Sequence, residues 1–375
     1  MNMGGFEQIF DRYHWERVKR TIYSKTNDDV ERALQKSTKS LEDFAALISP
    51  AASNYLEEIA QQSHTLTQKR FGKTIQLFIP MYLSNECQNI CTYCGFSLDN
   101  NIRRITLSEV QIKKEIAVIK DFGYDHILLV TGEANKTVGV DYLKKALELI
   151  RPHFSSISIE MQPLEEKDYR TLKPLGVNSV FVYQETYNRA SYKSYHPKGK
   201  KANFEYRLGT PDKIGRAGMY KIGLGCLLGL EDWRVDSFFT ALHLNYLEKT
   251  YWQTKFSISF PRIRPAENVT MPQFPLLDRD LIQLICAYRL FNKDIELSLS
   301  TRESRSFRDH AIKLGITSIS AGSKTNPGGY SNGTASLKQF EISDERPPGE
   351  IAQMLMSKGY EPVWKDWDPI LEQDA

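Results

Sequence analysis

From residue 73 onward, short apolar runs of strand length alternate with stretches whose apolar residues recur at helical spacing. Eight runs read as strands, at 75–82, 126–130, 156–161, 179–184, 222–228, 256–260, 295–300 and 317–320. Helical periodicity fills the gaps, at about 107–122, 140–151, 164–174, 211–220, 232–249, 276–291 and 304–314. Strand and helix in alternation predict parallel strands with right-handed crossovers. Eight such units predict a closed (β/α)8 barrel of the TIM type, an α/β fold. Six units plus an appendage is the competing architecture. Ahead of the barrel, a cap at Asn27 opens one helix, Ser40 opens a second that Ser49-Pro50 ends, and Leu56 to Gln62 reads as a third. The chain thus divides into an N-terminal helical extension, 1–72, a barrel, 73–322, and a C-terminal tail, 323–375, packing on the barrel.

Composition narrows the function classes. With 375 residues, 41% hydrophobic and 25% charged, the chain has the make-up of a globular protein. A net charge of +3 and no basic stripe argue against nucleic acid as a partner. Lys198, Lys200 and Lys201, around Gly199, read as a solvated loop. The first residues lack the apolar core of a secretory signal, and no stretch has the apolar length of a membrane span. Five cysteines, three of them clustered, do not make a disulfide framework, so the cytoplasm is the expected compartment.

The clustered three are Cys87, Cys91 and Cys94, spaced C-x3-C-x2-C on the loop after the first predicted strand. A structural zinc site would need a fourth ligand close by, and neither His64 nor His126 stands at such a spacing. Three thiolates suit a [4Fe–4S] cluster with one iron left open, since closed clusters take four cysteines. An open metal position lets a substrate bind directly.

Active groups of such barrels lie at the C-terminal ends of the strands, and polar residues collect there. The second strand ends in Thr131-Gly132-Glu133, the third in Glu160-Met161-Gln162, and the fourth runs into Gln184-Glu185-Thr186-Tyr187. Glu160 reads equally as a partner in a salt bridge of the barrel rim, and Arg207 equally as a surface arginine. Arg262 and Arg264 follow the sixth strand and suit either a ligand or acidic loops. Arg302 after the seventh strand, with Ser320 and Ser323 at the eighth, reads as a site for an α-carboxylate, because guanidinium grips carboxylate bidentately. Cys226 reads as a small buried hydrophobe.

The cysteine motif resembles that of the radical S-adenosylmethionine (SAM) superfamily. The stretches Cys87 to Phe96, Gln184 to Tyr187, Gly223 to Trp233, Ser259 to Ala266, Ser300 to Ser304 and Ser318 to Ser323 resemble its aromatic amino acid lyase branch, in particular the tyrosine lyases of thiamine biosynthesis. The resemblance covers essentially the whole chain. It implies that SAM chelates the open iron. It also implies that Tyr93 and the backbone near Phe96 contact adenine, that Glu133 accepts from the SAM ammonium, that Glu160 and Glu185 hold ribose or balance the sulfonium, and that Arg207 takes the SAM carboxylate. The family pattern has Gly-Gly-Glu where this chain has Thr131-Gly132-Glu133. The implied reaction reduces SAM to methionine and 5′-deoxyadenosine and splits the Cα–Cβ bond of L-tyrosine into p-cresol and 2-iminoacetate (dehydroglycine). The implied partners are a thiazole synthase that takes this product and a flavodoxin or ferredoxin as electron donor.

Neighbouring readings stay beside it. A tryptophan lyase would use the same frame with an indole pocket, and Tyr183 or Tyr187 is suited to bond a phenol. A sulfur-inserting enzyme similar to biotin synthase would want further cluster ligands, for which Cys226 and Cys286 are too few. A hydrogenase maturase carries more cysteines in a C-terminal extension, whereas none follows Cys286 here. A non-catalytic iron–sulfur carrier would want a fourth ligand. The tail from Gly359 through Trp364, Trp367 and Ile370 to Ala375 either docks a partner or covers the barrel bottom. No proton-transfer residue is assigned.

Overall fold

A computed structural model describes residues 5–269, 272–331, 333 and 338–365. Eight parallel strands close on themselves: β1 (Thr74–Ser84), β2 (His126–Thr131), β3 (Ser156–Glu160), β4 (Val177–Phe181), β5 (Lys221–Leu224), β6 (Lys255–Ser259), β7 (Glu296–Leu299) and β8 (Ser318–Ser320). β1 pairs with both β2 and β8, so the ring is complete and the six-unit alternative is overturned. The seven expected crossover helices are present. Two more, Arg189–Tyr195 and Phe204–Leu208, sit between β4 and β5.

Strand register explains why the ring holds. Ile79 faces Ile127, Ile127 faces Ile157, Val180 faces Ile222, Ile222 faces Phe256, Ile258 faces Leu297 and Leu299 faces Ile319. These side chains are buried in one apolar cluster that continues into the helices. Each such burial is worth about 1.5–3 kcal/mol. The alternate positions turn inward and differ in kind. Ser156, Ser158, Ser257, Ser298, Ser318 and Ser320 line a central cavity of about 140 Å³. A (β/α)8 lumen is usually filled with branched apolar side chains; small polar ones leave this one hollow.

The N-terminal helices pack on the outside of the ring. Thr26 caps Asn27–Gln35 in a capping box with Asp29, so Asn27 is the first helical residue rather than the cap. Ser40 caps Leu41–Leu47 in the same way. The third helix, Leu56–Phe71, runs well past Gln62 and stops at Gly72, whose φ of 64° belongs to the left-handed region. Phe44 packs on Tyr288 and Phe291 of the helix Asp278–Phe291 (ring centroids 4.8 and 5.0 Å apart), and Phe6 stacks on His243 at 3.8 Å.

Beyond β8 the chain crosses the barrel mouth and then returns to the opposite end. A ninth strand, β9 (Glu361–Val363), pairs in parallel with Thr74–Gln76 at the bottom of β1, and Trp364 stands edge-on to Tyr124. This part of the tail adds a strand at the lower end of β1; Trp367, Ile370 and Ala375 lie outside the described residues. At the mouth, residues 338–346 form a strap. Its Ser343 N–H donates to Thr301 O (2.8 Å), and its Asp344 carboxylate takes the guanidinium of Arg308, which also bonds Ser320 O. Arg308 is wholly buried. Arg346 also holds Asp344, at 2.6 Å, so removing Arg308 costs its own charge-assisted bonds rather than leaving a bare carboxylate. Arg308→Met is therefore expected to lower the unfolding free energy by about 2 kcal/mol, read as a lower urea midpoint at unchanged m-value.

Candidate active site

The loop after β1 is held in shape before any ligand is considered. Ser97 Oγ accepts from Cys91 N–H (2.9 Å), and Asn100 Nδ2 bonds Cys94 O (3.3 Å) and Gly95 O (3.0 Å). The Arg104 guanidinium ties Asn85 O (2.9 Å), Phe96 O (2.7 Å) and Ser97 O (2.6 Å) together. Cys87, Cys91 and Cys94 line one cavity of about 80 Å³, walled also by Phe96, Thr131, Glu133, Glu160, Glu185 and Arg207. Most of the residues expected around SAM therefore do meet.

Burial raises all three thiols, with Cys94 pushed up to about 11, so only a metal would hold them as thiolates here. The donor set fits a cubane with one open corner. All three ligands are soft thiols, and Cys226 and Cys286 are buried elsewhere and do not line the cavity. Among the described residues no three His, Cys, Asp or Glu converge on a single-ion point; ligands that hold different corners of a cubane have no need to. The wall also fits a polar cofactor. Thr131 Oγ1 is buried there without a partner. A Cβ on Gly132 would lie 2.2 Å from Glu86 O, so glycine is what lets the cysteine loop lie against the end of β2.

Four charges brace this cavity. Arg207, 5% exposed on the short helix Phe204–Leu208, bonds Glu133 at 2.9 Å and also donates to Tyr183 O. It is no surface arginine. Lys201 bonds Glu185 at 2.7 Å and lies 3.8 Å from Glu133. Burial alone would raise both carboxyls, but Lys201 and Arg207 hold them below the usual carboxylate range. Glu185 adopts φ 71°, a strained conformation for a residue with a side chain. Asn89, inside the cysteine motif, donates to Glu133 (2.8 Å) and accepts from Lys201 N–H (3.1 Å).

Lys201 corrects the reading of the lysine run: Lys198 and Lys200 are exposed, but Lys201 turns inward. Nothing local in the sequence marks it, because its partners lie on other strand ends. Gln339 on the strap also lines the cavity and has no local signature. Asn89, between Cys87 and Cys91, carries no role that the sequence alone marks. Tyr93 lies beside the braced site, its ring 5.5 Å from Lys201 Nζ. Its hydroxyl bonds His196 Nε2 at 2.7 Å, and its ring lines a separate hollow with Thr92 and Tyr195 rather than the cysteine cavity.

The larger lumen cavity meets the cysteine cavity at shared walls, Glu160, Phe181 and Tyr183. Arg302, Ser320 and Ser323 all open into it, and Ser323 Oγ is buried with no partner. The Arg302 guanidinium lies 3.4 Å over the Phe340 ring. Tyr183 lines this cavity, while Tyr187 is buried behind it, bonded to His243 at 3.0 Å. Arg262 and Arg264 both grip buried Glu303 and serve structure. Cys226 is buried in the apolar cluster, as expected.

Residues 81–242 match the family model of the radical SAM superfamily, and residues 259–361 match the biotin and thiamin synthesis associated domain. The chain is 50% identical over 370 residues to the 2-iminoacetate synthase of Escherichia coli (strain K12), covering 98% of each chain. It belongs to the 2-iminoacetate synthase family. The same name is carried by a relative from Salmonella typhimurium, again 50% identical over 98% of each chain. Among solved structures, the FeFe-hydrogenase maturase HydG from Carboxydothermus hydrogenoformans superposes with a TM-score of 0.89 at 29% identity, over 97% of this chain and 86% of that one. Membership of the 2-iminoacetate synthase family makes the chain a radical SAM lyase that uses a [4Fe–4S] cluster and SAM. The zinc and electron-carrier readings are set aside on that ground.

Glu160 stands apart from the braced carboxylates. It makes no ion pair among the described residues, and burial pushes it up to about 7 against the opposing pull of Arg302. In protein without cluster or SAM, the unfolded chain's carboxyl ionises near the ordinary 4.5 and the folded one near 7. The folded state then binds more protons in that window, so stability falls as pH rises through it. Glu160→Gln removes this loss. Urea unfolding should show the variant gaining on wild type by on the order of 1–3 kcal/mol at pH 8 relative to pH 4.5. An equal difference at both values would assign the titration elsewhere.

Proposed function

We propose that the chain cleaves the Cα–Cβ bond of L-tyrosine to 2-iminoacetate and p-cresol, consuming SAM as methionine and 5′-deoxyadenosine, and so supplies the glycine-like unit of the thiamine thiazole. The observation that carries this is the shared wall: the cavity that holds Arg302 and Ser323 abuts the three-cysteine cavity at Val130, Glu160, Phe181 and Tyr183. When bound, the cluster and SAM supply the radical that abstracts hydrogen from substrate. Cys87, Cys91 and Cys94 hold the cluster. Glu133 accepts from the SAM ammonium, with Arg207 and Lys201 balancing the charge of the site. Glu185 takes the ribose hydroxyls, Glu160 faces the sulfonium and Phe96 backs the adenine. Tyr93 acts one layer out, through His196 and the cysteine loop.

On the substrate side, Arg302 grips the tyrosine carboxylate, assisted by Ser323 and Ser320. That grip fixes the amino group near the reacting carbon, and tight placement is what an abstraction of one chosen hydrogen requires. Ser320 Oγ already accepts from Thr301 N–H at 3.1 Å, so it contributes its own proton as donor. The ring then points into the hollow lumen, where Tyr183 and Ser259, bonded to each other at 3.1 Å, are partners for a phenol. A tryptophan lyase is the second reading, since the lumen has volume for an indole.

The reactive imine product calls for direct hand-over to a thiazole synthase, and the cluster for a flavodoxin or ferredoxin. Among the described residues no helix is long and apolar enough to cross a membrane; the cytoplasm is the proposed compartment. Anaerobic incubation of the cluster-loaded protein with SAM, reductant and L-tyrosine should give 5′-deoxyadenosine, p-cresol and glyoxylate, the hydrolysis product of the imine, in comparable amounts. Deoxyadenosine without p-cresol would remove tyrosine as the substrate. Arg302→Met should raise KM for tyrosine at least about 100-fold, as expected for losing a charge-assisted bidentate contact, while SAM binding stays within about twofold.

A further inference from the structure

The strap over the barrel mouth touches one cysteine directly. Gly95 N–H donates to Gln339 O (3.0 Å), and Gln339 N–H donates to Thr325 O (2.8 Å), so the backbone at Gln339 is tied on both sides. A Cβ on Gly95 would lie 2.7 Å from Lys338 O and 2.8 Å from Gln339 O, so strap and cysteine loop are in closed contact. From this anchor the side chain reaches into the cavity. Its Oε1 accepts from the Tyr82 hydroxyl at 2.7 Å, and its Nε2 donates to Cys94 Sγ at 3.8 Å. Tyr82 is itself fixed, 4% exposed and edge-on to Phe96.

The two contacts orient each other. A thiolate only accepts, so the amide must turn its N–H₂ toward Cys94, which leaves Oε1 for a donor. Tyr82 supplies that donor. A flipped amide would aim a carbonyl oxygen at the sulfur and place two donors against the phenol.

We propose that Gln339 is a positioning residue for the cluster, raising its reduction potential through an N–H···S bond to Cys94 that Tyr82 aims. Hydrogen bonds to cluster sulfurs are among the levers that set these potentials, because they stabilise the more negative, reduced state. The site needs such a lever. Glu133 and Glu185 are balanced there by Arg207 and Lys201, but Glu160 lines the same cavity with no ion pair among the described residues, and its ionised carboxylate opposes the arrival of an electron. The inference rests on the reading of the three cysteines as cluster ligands.

The test is an EPR-monitored redox titration of the reconstituted protein without tyrosine, on wild type, Gln339→Leu and Tyr82→Phe, with iron and sulfide measured per chain. Gln339→Leu should favour the oxidised cluster about tenfold at a given potential, a midpoint about 59 mV more negative for a one-electron couple. Tyr82→Phe should move it the same way by about threefold, since the donor stays but loses its aim. A fully loaded Gln339→Leu protein with an unchanged or raised midpoint overturns the proposal. If that variant does not load, Tyr82→Phe decides, because it leaves the strap's backbone bonds intact; an unchanged midpoint there overturns it equally. Wild-type protein that takes up no [4Fe–4S] cluster would overturn the cysteine reading instead.

Discussion

Two carboxylates and two cations held out of bulk water organise the mouth of this barrel. Glu133 comes from the end of β2, Glu185 from the turn after β4, and Arg207 and Lys201 from the excursion between β4 and β5. Any one of the four left alone would be costly to bury. Together they neutralise one another, and Asn89 carries the same network into the cysteine loop. The strained backbone of Glu185 is tolerable because its carboxylate is gripped by Lys201 and its carbonyl accepts from Leu227 N–H (2.8 Å). Loop, strand ends and helix are fixed as one unit, which a site that must place a single hydrogen requires.

What the sequence revealed follows how local each signal is. The three thiols lie within eight consecutive residues, and chemistry alone restricts what such a loop binds. Each strand and crossover helix carries its own periodicity, so the closed barrel was legible. Lys201 was not, because its meaning depends on Glu185 and Glu133, which only tertiary folding brings near; in sequence it is one of three lysines beside a glycine. Gln339 lies 245 residues from Cys94 and sits in no regular element. Arg207 was legible as a candidate, but its burial was decided by an unforeseen helix. Tyr93 is legible from its motif position, but the bond of its hydroxyl to His196, 103 residues away, is not.

Ion pairs near the mouth fall into two kinds with different work. The Arg262–Glu303–Arg264 group and the Arg308–Asp344–Arg346 group fasten loops and strap to the ring. The Glu133–Arg207 and Glu185–Lys201 pairs face open volume. Residue type does not separate the two sets; the side on which each pair faces empty space does.

The serine-lined lumen has a consequence for how such a protein tolerates change. An ordinary barrel has two cores, one between strands and helices and one inside the ring. Here the outer core, with Ile79, Ile127, Ile222 and Leu297, is the denser one. Inside the ring, Phe78, Leu128 and Phe181 share the lining with serines, whose small polar side chains add shape and polarity more than cohesion. The ring can therefore be refitted from within, for a larger ring system or a different polar group, with small cost to folding. Architecture and substrate choice are thus written on opposite faces of the same eight strands, which leaves each free to drift without dragging the other along.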